Sequence, residues 1–169
     1  LAALEEQKRT EARLLRSEMY LAEAQRLSQT GSFGWKVATD EINWSEETFR
    51  IFGCDPATTP TREFILQRVH PDDRDFVRQT LDRASEDGLD FDHEARLVMP
   101  NGALKHIRAL AHAVKDGSGG VEFIGAVTDI TAAKQAEAAL NDAQADLAHA
   151  TRVITLGELT TSIAHEVNQ

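Results

Sequence analysis

A histidine followed directly by a glutamate, His165 and Glu166, is the pair of residues in this chain best suited to chemistry. The apolar residues around the pair recur at helical spacing, which predicts a helix that packs against partners through the stripe Val153, Leu156, Thr160, Ile163 and Val167. At about 100° per residue, His165 lies about 180° from Leu156 and about 200° from Ile163. We therefore expect the His165 imidazole to face water, where another domain can reach it. The simpler alternative is a solvated His–Glu pair on a helix surface.

The residues on either side of the pair favour the first interpretation. Residues 156–159 read Leu-Gly-Glu-Leu, and residues 162–169 read Ser-Ile-Ala-His-Glu-Val-Asn-Gln. This segment resembles the phosphoacceptor segment, or H-box, of sensor histidine kinases, in the subgroup whose box reads His-Glu-x-Asn-Gln. The resemblance implies that His165 accepts the γ-phosphoryl group of ATP on an imidazole nitrogen, while Glu166 orients the ring or takes its other proton. An imidazole suits this role because its unperturbed pKa lies near neutrality.

The same resemblance implies the partners of the reaction. ATP and Mg²⁺ would be held by an ATP-binding domain further along the parent protein, because the glycine-rich residues 117–120 lack the following helix and lysine of a phosphate loop. From His165 the phosphoryl group would pass to an aspartate of a response-regulator receiver domain. The chain by itself is expected not to turn over ATP. Many members of this family place Thr or Asn four residues after the histidine; Gln169 stands there, after Asn168, so a phosphatase role stays open.

The composition restricts the other possibilities. The 169 residues carry 18 Lys and Arg against 28 Asp and Glu, a net charge of −10, which argues against binding nucleic acid or an anionic membrane surface. The one cysteine, Cys54, cannot form an internal disulfide and fits a reducing cytoplasm. No apolar run approaches the ~20 residues that span a bilayer. We expect the chain to be part of a longer protein, whose upstream region could include a membrane anchor.

A second resemblance covers the middle of the chain. Residues 29–131 are expected to hold two short strands, short helices, one longer helix and three antiparallel strands, with turns at Thr39-Asp40 and Pro100-Asn101-Gly102. Ser45 is a good N-cap, and Gly53 would end the helix that Ser45 begins. This order of elements resembles a PAS sensor domain. The motifs that carry the resemblance are Gly34 and Trp35, Trp44-Ser45 leading to Phe49–Gly53, Val69-His70-Pro71-Asp72-Asp73-Arg74, Arg96–Gly102 and Gly125–Thr131.

Helices are predicted on both sides of this domain. Residues 1–28 have strong helix composition and an apolar stripe, Leu14, Leu21, Ala24 and Leu27, that could cover the next domain, pair with a second copy, or both. Residues 132–152 place Ala133, Leu140 and Leu147 seven apart, which is typical of a coiled-coil seam. The seam then shifts by one residue in 153–169. Simple helical drift would explain the shift; we prefer a parallel two-stranded coil that opens into the four-helix bundle of a homodimer.

A ligand of the PAS domain is possible, and its identity is open. The small residues of the strand Ile107, Ala109, Ala111 and Ala113 could leave a cavity, although we expect Phe and Leu side chains of the helices to fill it. Haem is not expected: His70 is better explained as a helix cap, and His93, His106 and His112 are expected to face solvent or a flanking helix. Flavin photochemistry of the LOV type is not expected, because Cys54 lies outside the required motif. No metal site is expected either, because the histidines and Cys54 show no metal-ligand spacing.

These observations predict an α+β protein: a PAS domain with a five-stranded antiparallel sheet and short helices, flanked by an N-terminal helix and a long C-terminal coiled-coil helix. Its function would be the sensory and dimerisation part of a histidine kinase with His165 as phosphoacceptor. The alternative is a non-catalytic PAS module that binds a ligand or dimerises, whose last helix is only a coiled coil. The sensed signal, the cognate regulator and the direction of signalling stay open.

Overall fold

The computed structural model describes residues 1–115 and 117–167 and divides them between two compact units. The first unit, Leu1–Ile130, contains the sheet and the shorter helices; the second begins at Thr131 and contains one long helix. The helices are α1 (Ala2–Leu27), α2 (Glu46–Phe52), α3 (Arg62–Arg68), α4 (Arg74–Asp87) and α5 (Thr131–Val167), with a 3₁₀ turn at Pro71–Asp73. The strands are β1 (Thr30–Lys36), β2 (Glu41–Trp44), β3 (Phe91–Val98), β4 (Leu104–Lys115) and β5 (Val121–Asp129).

Within the described ranges the sheet has five antiparallel strands in the order β2-β1-β5-β4-β3. The predicted fold class is therefore confirmed. Because side chains alternate across a strand, one face of each strand supplies the core. That face packs against α2, α3 and α4, and the largest fully buried side chains include Phe123, Leu97 and Val69.

Local signals set the bounds of α2. The Ser45 hydroxyl accepts a hydrogen bond from the Thr48 amide at 3.4 Å, which satisfies one of the free amides of the first turn. Gly53 ends the helix in the left-handed region with φ of +64°, a conformation that residues with a Cβ rarely adopt. Both predictions about this helix are confirmed.

The motif His70-Pro71-Asp72-Asp73-Arg74 forms a 3₁₀ turn and then the start of α4, not the start of one helix. The His70 Nδ1 accepts from the Asp72 amide at 3.3 Å, so His70 caps the 3₁₀ turn as predicted. Asp73 makes no capping hydrogen bond to α4 and instead accepts three hydrogen bonds from Arg96 of β3. Acids at a helix start favour the positive end of the helix dipole, but Asp73 is hydrogen-bonded to the sheet instead.

The apolar stripes of the two flanking helices are exposed. No residue of α1 is buried, and its stripe residues Leu14, Leu21 and Leu27 are more than half exposed. Near its end α1 contacts the sheet through Gln25, whose Nε2 donates to the Ser32 hydroxyl at 3.1 Å. The single chain thus buries no residue of α1 against the PAS domain, and covering the domain stays a prediction. Its pairing with a second copy stays a prediction.

Candidate functional site

His165 and Glu166 lie on the last described turn of α5. The helix is continuous over 37 residues, and both side chains are exposed. Since the chain is helical from Leu156 to His165, the angular argument applies and His165 points away from the apolar stripe. The stripe is itself unburied in this unit: Leu156, Ile163 and Val167 are 65%, 60% and 80% exposed. The other two positions of the H-box resemblance, Asn168 and Gln169, lie outside the described residues, as does the question of a phosphatase role that depends on Gln169.

The threonine in the apolar stripe is compatible with a buried interface. The Thr160 hydroxyl donates to the Leu156 carbonyl at 2.8 Å, one turn back along the helix. With its hydrogen-bonding capacity used locally, Thr160 can present its methyl group beside Leu156 and Ile163 without leaving a polar group unpaired. The stripe is thus apolar along its length, although one of its members carries a hydroxyl.

A lysine that the sequence did not predict contacts the end of β5, the last strand of the first unit. Lys105 of β4 places its Nζ 3.7 Å from the Asp129 carboxylate at the end of β5 and 3.1 Å from the Ile51 carbonyl of α2. The Ile130 amide donates to the His106 carbonyl at 2.8 Å. Both members of the ion pair are mostly buried, with 28% and 14% of their side chains exposed. A charged residue in the inward-facing phase of β4 was the signal that could have identified Lys105.

The tie between Asp73 and Arg96 holds the start of α4 against β3. The Arg96 guanidinium donates through Nε at 3.0 Å and through Nη2 at 2.7 Å, and the Arg96 amide donates at 2.9 Å. This bidentate arrangement lowers the pKa of Asp73 from 3.8 to about 2, chiefly through the side-chain hydrogen bonds from Arg96. The carboxylate is therefore charged under all physiological conditions.

A cavity of about 60 Å³ lies between the sheet and helices α3 and α4. Its wall is almost wholly apolar and is formed by Phe33, Trp35, Ile42, Trp44, Phe52, Ile65, Val69, Val77, Leu81, Phe91, Ala95, Ile107, Ala109 and Val127, together with Arg62 and His93. Helix side chains such as Phe52 and Leu81 line this cavity together with Ala109 of the sheet. The expectation that helix side chains fill the space over the small strand residues is therefore incomplete, because a cavity remains.

The histidines on the strands divide between the two faces of the sheet. His106 and His112 lie opposite the buried Ala109 and Ala111, as the alternation predicted, and His112 Nδ1 is 2.8 Å from Asp90 Oδ2. His93 faces inward, where burial lowers the pKa of its imidazole. The His93 ring contacts the Phe76 ring of α4 at a centroid distance of 5.7 Å. Of the two alternatives predicted for His93, contact with a helix is therefore the one that the structure shows, not exposure to solvent.

Other candidate ligands have ordinary structural surroundings. Cys54 is a free, half-buried cysteine whose thiol has its pKa raised by burial, and its Sγ donates to the Phe49 carbonyl at 3.8 Å. Across residues 1–115 and 117–167, no group of three or more His, Cys, Asp or Glu side chains is placed to hold a metal ion. In the same residues no helix is both long and apolar enough to cross a bilayer.

Comparison with known proteins identifies the class of protein that this sheet and its helices define. A family model described as PAS fold matches residues 41–128, more than half of the 169 residues. The chain belongs to the PAS family.

Its relatives include proteins of bacterial signalling. The sensor protein FixL of Bradyrhizobium diazoefficiens is 30% identical over 118 residues, which cover 69% of this chain and 23% of FixL. The chain thus spans about a quarter of that relative's length. A sensory box histidine kinase/response regulator from Burkholderia thailandensis is 25% identical, with a TM-score of 0.56 over 73% of this chain and 94% of that structure.

A third similarity concerns the fold alone. The N-terminal domain of a diguanylate cyclase with a PAS/PAC sensor from Marinobacter aquaeolei shares 24% identity, with a TM-score of 0.57 over 62% of this chain and 98% of that one. Taken with the first two relatives, the chain carries a PAS sensor domain homologous to those of sensor proteins and histidine kinases.

Proposed function

We propose that this chain is the sensory and dimerisation part of a two-component sensor histidine kinase, in which His165 is the phosphoacceptor. The observation that carries the proposal is the position of an exposed His165–Glu166 pair on a helix that follows directly from the last strand of a PAS sheet. Similarity of the PAS domain to that of a sensory box histidine kinase supports it. The exposed apolar stripe on the other side of α5 supplies the surface for dimerisation.

In the proposed reaction a nitrogen of the neutral His165 imidazole attacks the γ-phosphorus of ATP. The bond from that phosphorus to the β,γ-bridging oxygen breaks and ADP leaves. The Glu166 carboxylate accepts a hydrogen bond from the other ring nitrogen, which keeps the attacking nitrogen unprotonated, and takes that proton as the N–P bond forms. ATP and Mg²⁺ would be supplied by the ATP-binding domain of the parent protein, and positioning by that domain would provide most of the rate enhancement. The phosphoryl group would then pass to an aspartate of a receiver domain.

The proposed control of this reaction runs through α5. Two copies of α5 would pair in parallel through their apolar stripes, since side chains such as Leu140, Leu147 and Leu156 are 59%, 69% and 65% exposed in the single chain. A change in the PAS domain would alter the rotation or pitch of the paired helices after Asp129. The access of His165 to the ATP-binding domain would change with it.

The test is phosphorylation of the parent protein, including its ATP-binding domain, with γ-labelled ATP. His165→Ala should abolish acid-labile label on the protein. His149→Ala is a matched control, because His149 is an exposed histidine on the same helix and should leave labelling at the wild-type level. Label on the His165 variant at the wild-type level would show that His165 is not the acceptor and would favour the non-catalytic PAS module instead.

Glu166→Gln separates the role of the carboxylate from that of the ring. An amide can accept a hydrogen bond but carries no charge, so slower labelling with an unchanged final extent is the expected result. The loss should be about 10²-fold or more if Glu166 acts as a base. An unchanged rate would exclude Glu166 from the reaction and leave His165 untouched.

A further inference from the structure

His93 of β3 is a titratable side chain that the proposed phosphotransfer does not use. Its ring lies in the wall of the PAS cavity, among apolar side chains and one other polar residue, Arg62. Among the residues that the structure describes, His93 Nδ1 is one of the buried side-chain nitrogens without a hydrogen-bond partner. When an imidazole is protonated, both ring nitrogens are donors, so the charged form would bury an N–H that has no acceptor. The neutral form of His93 is therefore preferred in this position.

A positive charge on His93 would find no free carboxylate among the described residues that pack around it. Arg62 is itself a cation, and the residue paired with His93 across the sheet is Ala109. The neighbouring acids of α4 and β3 are engaged with other cations: Asp82 with Arg62, Asp73 with Arg96, Asp75 with Arg78 and Asp92 with Arg108. Glu94 follows His93 on the strand and lies with Asp92 on the face of the sheet away from the cavity. Burial thus lowers the pKa of the His93 imidazole, and the charge of Asp92 opposes the effect only in part.

The His93 ring is one of two side chains of β3 that hold the start of α4. Asp73, just before the helix, accepts hydrogen bonds from Arg96, and Phe76 in the first turn meets His93 edge to face, with an interplanar angle of 83°. This arrangement favours two neutral aromatic rings. An imidazolium would be attracted to the rings of Phe76 and Phe91, but that attraction is smaller than the cost of removing an unpaired charge from water.

The two contacts respond to different ranges of pH. The pKa of Asp73 is about 2, so its ion pair with Arg96 persists in moderate acid, where the His93 imidazole takes up a proton. Val77 and Leu81 of α4 face the same cavity as His93. Movement of α4 away from the sheet would therefore admit water to the ring and remove the penalty for charging it.

We propose that the contact between His93 and Phe76 is a pH-sensitive switch in the PAS unit. While His93 is neutral, the contact holds α4 against β3. In acid the imidazole takes a proton from solvent, and α4 opens more readily from the sheet, while the Asp73–Arg96 pair still holds the residue before the helix. The switch goes beyond the proposed function, and only its use as a signal rests on that function, because His165 takes no part in it.

An NMR titration of the six histidine side chains in the whole chain measures the protonation of His93 directly. The His93 signal is identified as the one that disappears in His93→Phe. In the native chain its midpoint should lie below about 6.5, and in concentrated urea the same side chain should return to about 6.5. A native midpoint at or above the value in urea would overturn the proposal.

Urea unfolding followed by tryptophan fluorescence measures what the proton costs the PAS unit. Because folding lowers the pKa of His93, stability is complete above about pH 6.5 and falls below it, by up to about tenfold in the folding equilibrium constant for each pH unit, until the folded-state pKa is reached. His93→Phe keeps a ring beside Phe76 but does not titrate, so its folding constant should fall less between about pH 7 and about pH 5. His93→Gln should show the same reduced dependence on pH, at a lower overall stability.

His112→Phe is the matched control. His112 is an exposed histidine of β4, beside Asp90 and away from the cavity, so this variant should keep the loss in acid that the wild type shows.

Hydrogen exchange shows where the chain opens. After correction for the intrinsic exchange rates, protection of the amides of α4, Arg74–Asp87, should fall more between about pH 7 and about pH 5 than protection of β1 and β5. In His93→Phe the amides of α4 should show no such extra loss.

Equal losses of stability in acid for the wild type and His93→Phe would overturn the proposal, as would a loss that His112→Phe removes. A uniform fall of protection through the PAS unit would overturn it too, because the proton would then act on the whole unit and not on α4. None of these measurements reads phosphorylation. Failure here therefore leaves the assignment of His165 standing, and an unlabelled parent protein would leave the switch standing.

Discussion

Replacing the Asp73 carboxylate by an amide, Asp73→Asn, is expected to destabilise the PAS unit by about 1–2 kcal/mol at neutral pH. The pKa of Asp73 falls from 3.8 to about 2 on folding, mainly through the side-chain hydrogen bonds from Arg96. At about 1.36 kcal/mol per pKa unit, a difference of that size corresponds to about 2.4 kcal/mol. Solvent reduces the value, because 21% of the Asp73 side chain and 33% of the Arg96 side chain are exposed.

The stability that Asp73 contributes should depend on pH. The folded-state pKa is depressed, so the stabilisation is fully present above pH 3.8 and is lost as the pH falls through the folded-state value of about 2. Roughly half of the difference between the wild type and Asp73→Asn should be gone at pH 3. The two proteins should therefore converge in acid, with the wild type losing more stability than the variant.

Urea unfolding followed by tryptophan fluorescence is the appropriate assay. Trp35 and Trp44 both lie in the PAS unit, so the signal reports on that unit and not on α5. Asp75→Asn is the control, because Asp75 pairs with Arg78 on the helix surface at 2.8 Å and is 84% exposed, which predicts a loss of about 0.5 kcal/mol or less. The reasoning is refuted if Asp73→Asn and Asp75→Asn are equally mild, or if the loss from Asp73→Asn does not shrink towards pH 3.

Two further substitutions test how the sheet is joined to its helices. Gly31→Ala would put a Cβ 2.5 Å from the Thr48 amide nitrogen and should lower the free energy of unfolding in urea by about 1–3 kcal/mol. Gly34→Ala is the control, because the nearest atom to its Cβ lies at 3.6 Å and the substitution should be nearly neutral. Equal effects of the two substitutions would contradict the close approach at Gly31. Lys105→Met removes the cation beside Asp129 and should cost about 1 kcal/mol in the same assay. In the parent protein it should also change the rate of His165 labelling by a factor equivalent to roughly 0.5–2 kcal/mol, and an unchanged rate would exclude this ion pair from signal transfer.

Features fixed by neighbouring residues were predictable from the sequence. Ser45 and Gly53 define α2 because a cap and a left-handed C-terminal residue act within a few positions of the helix. The beginning of β1, at Thr30, was less predictable. Residues 30–32 read Thr-Gly-Ser, a turn-like composition, and they are extended because they pair with residues 126–128 of β5. That pairing spans almost a hundred residues, and no local pattern reveals it.

The candidate sites also divide into features set by neighbouring residues and features set by distant partners. The position of His165 on its helix follows from local periodicity, whereas its role as phosphoacceptor stays a prediction. The polar residues of the PAS unit were missed because each depends on a distant partner or neighbour. The local pattern around Asp73 favours a role at the nearest helix terminus, but Asp73 is hydrogen-bonded to Arg96 of the sheet instead. His93 was grouped with the other strand histidines, although its position in the alternation of β3 places it with the buried Phe91 and Ala95.

The strand register brings the cavity and the exit to α5 within a few residues of each other. Ile107 lines the cavity and is the direct pairing partner of Asp129 in the sheet. Val127, also in the wall, precedes Asp129 by two residues, and Lys105 precedes Ile107 by two on the same face of β4. A molecule in the cavity that displaced Ile107 or Val127 would therefore act directly on the Lys105–Asp129 pair. Coupling between the cavity and α5 would therefore need only a few intervening residues. By thermodynamic linkage, any effect of a bound molecule on helix pairing must be matched by an equal effect of pairing on the affinity for that molecule.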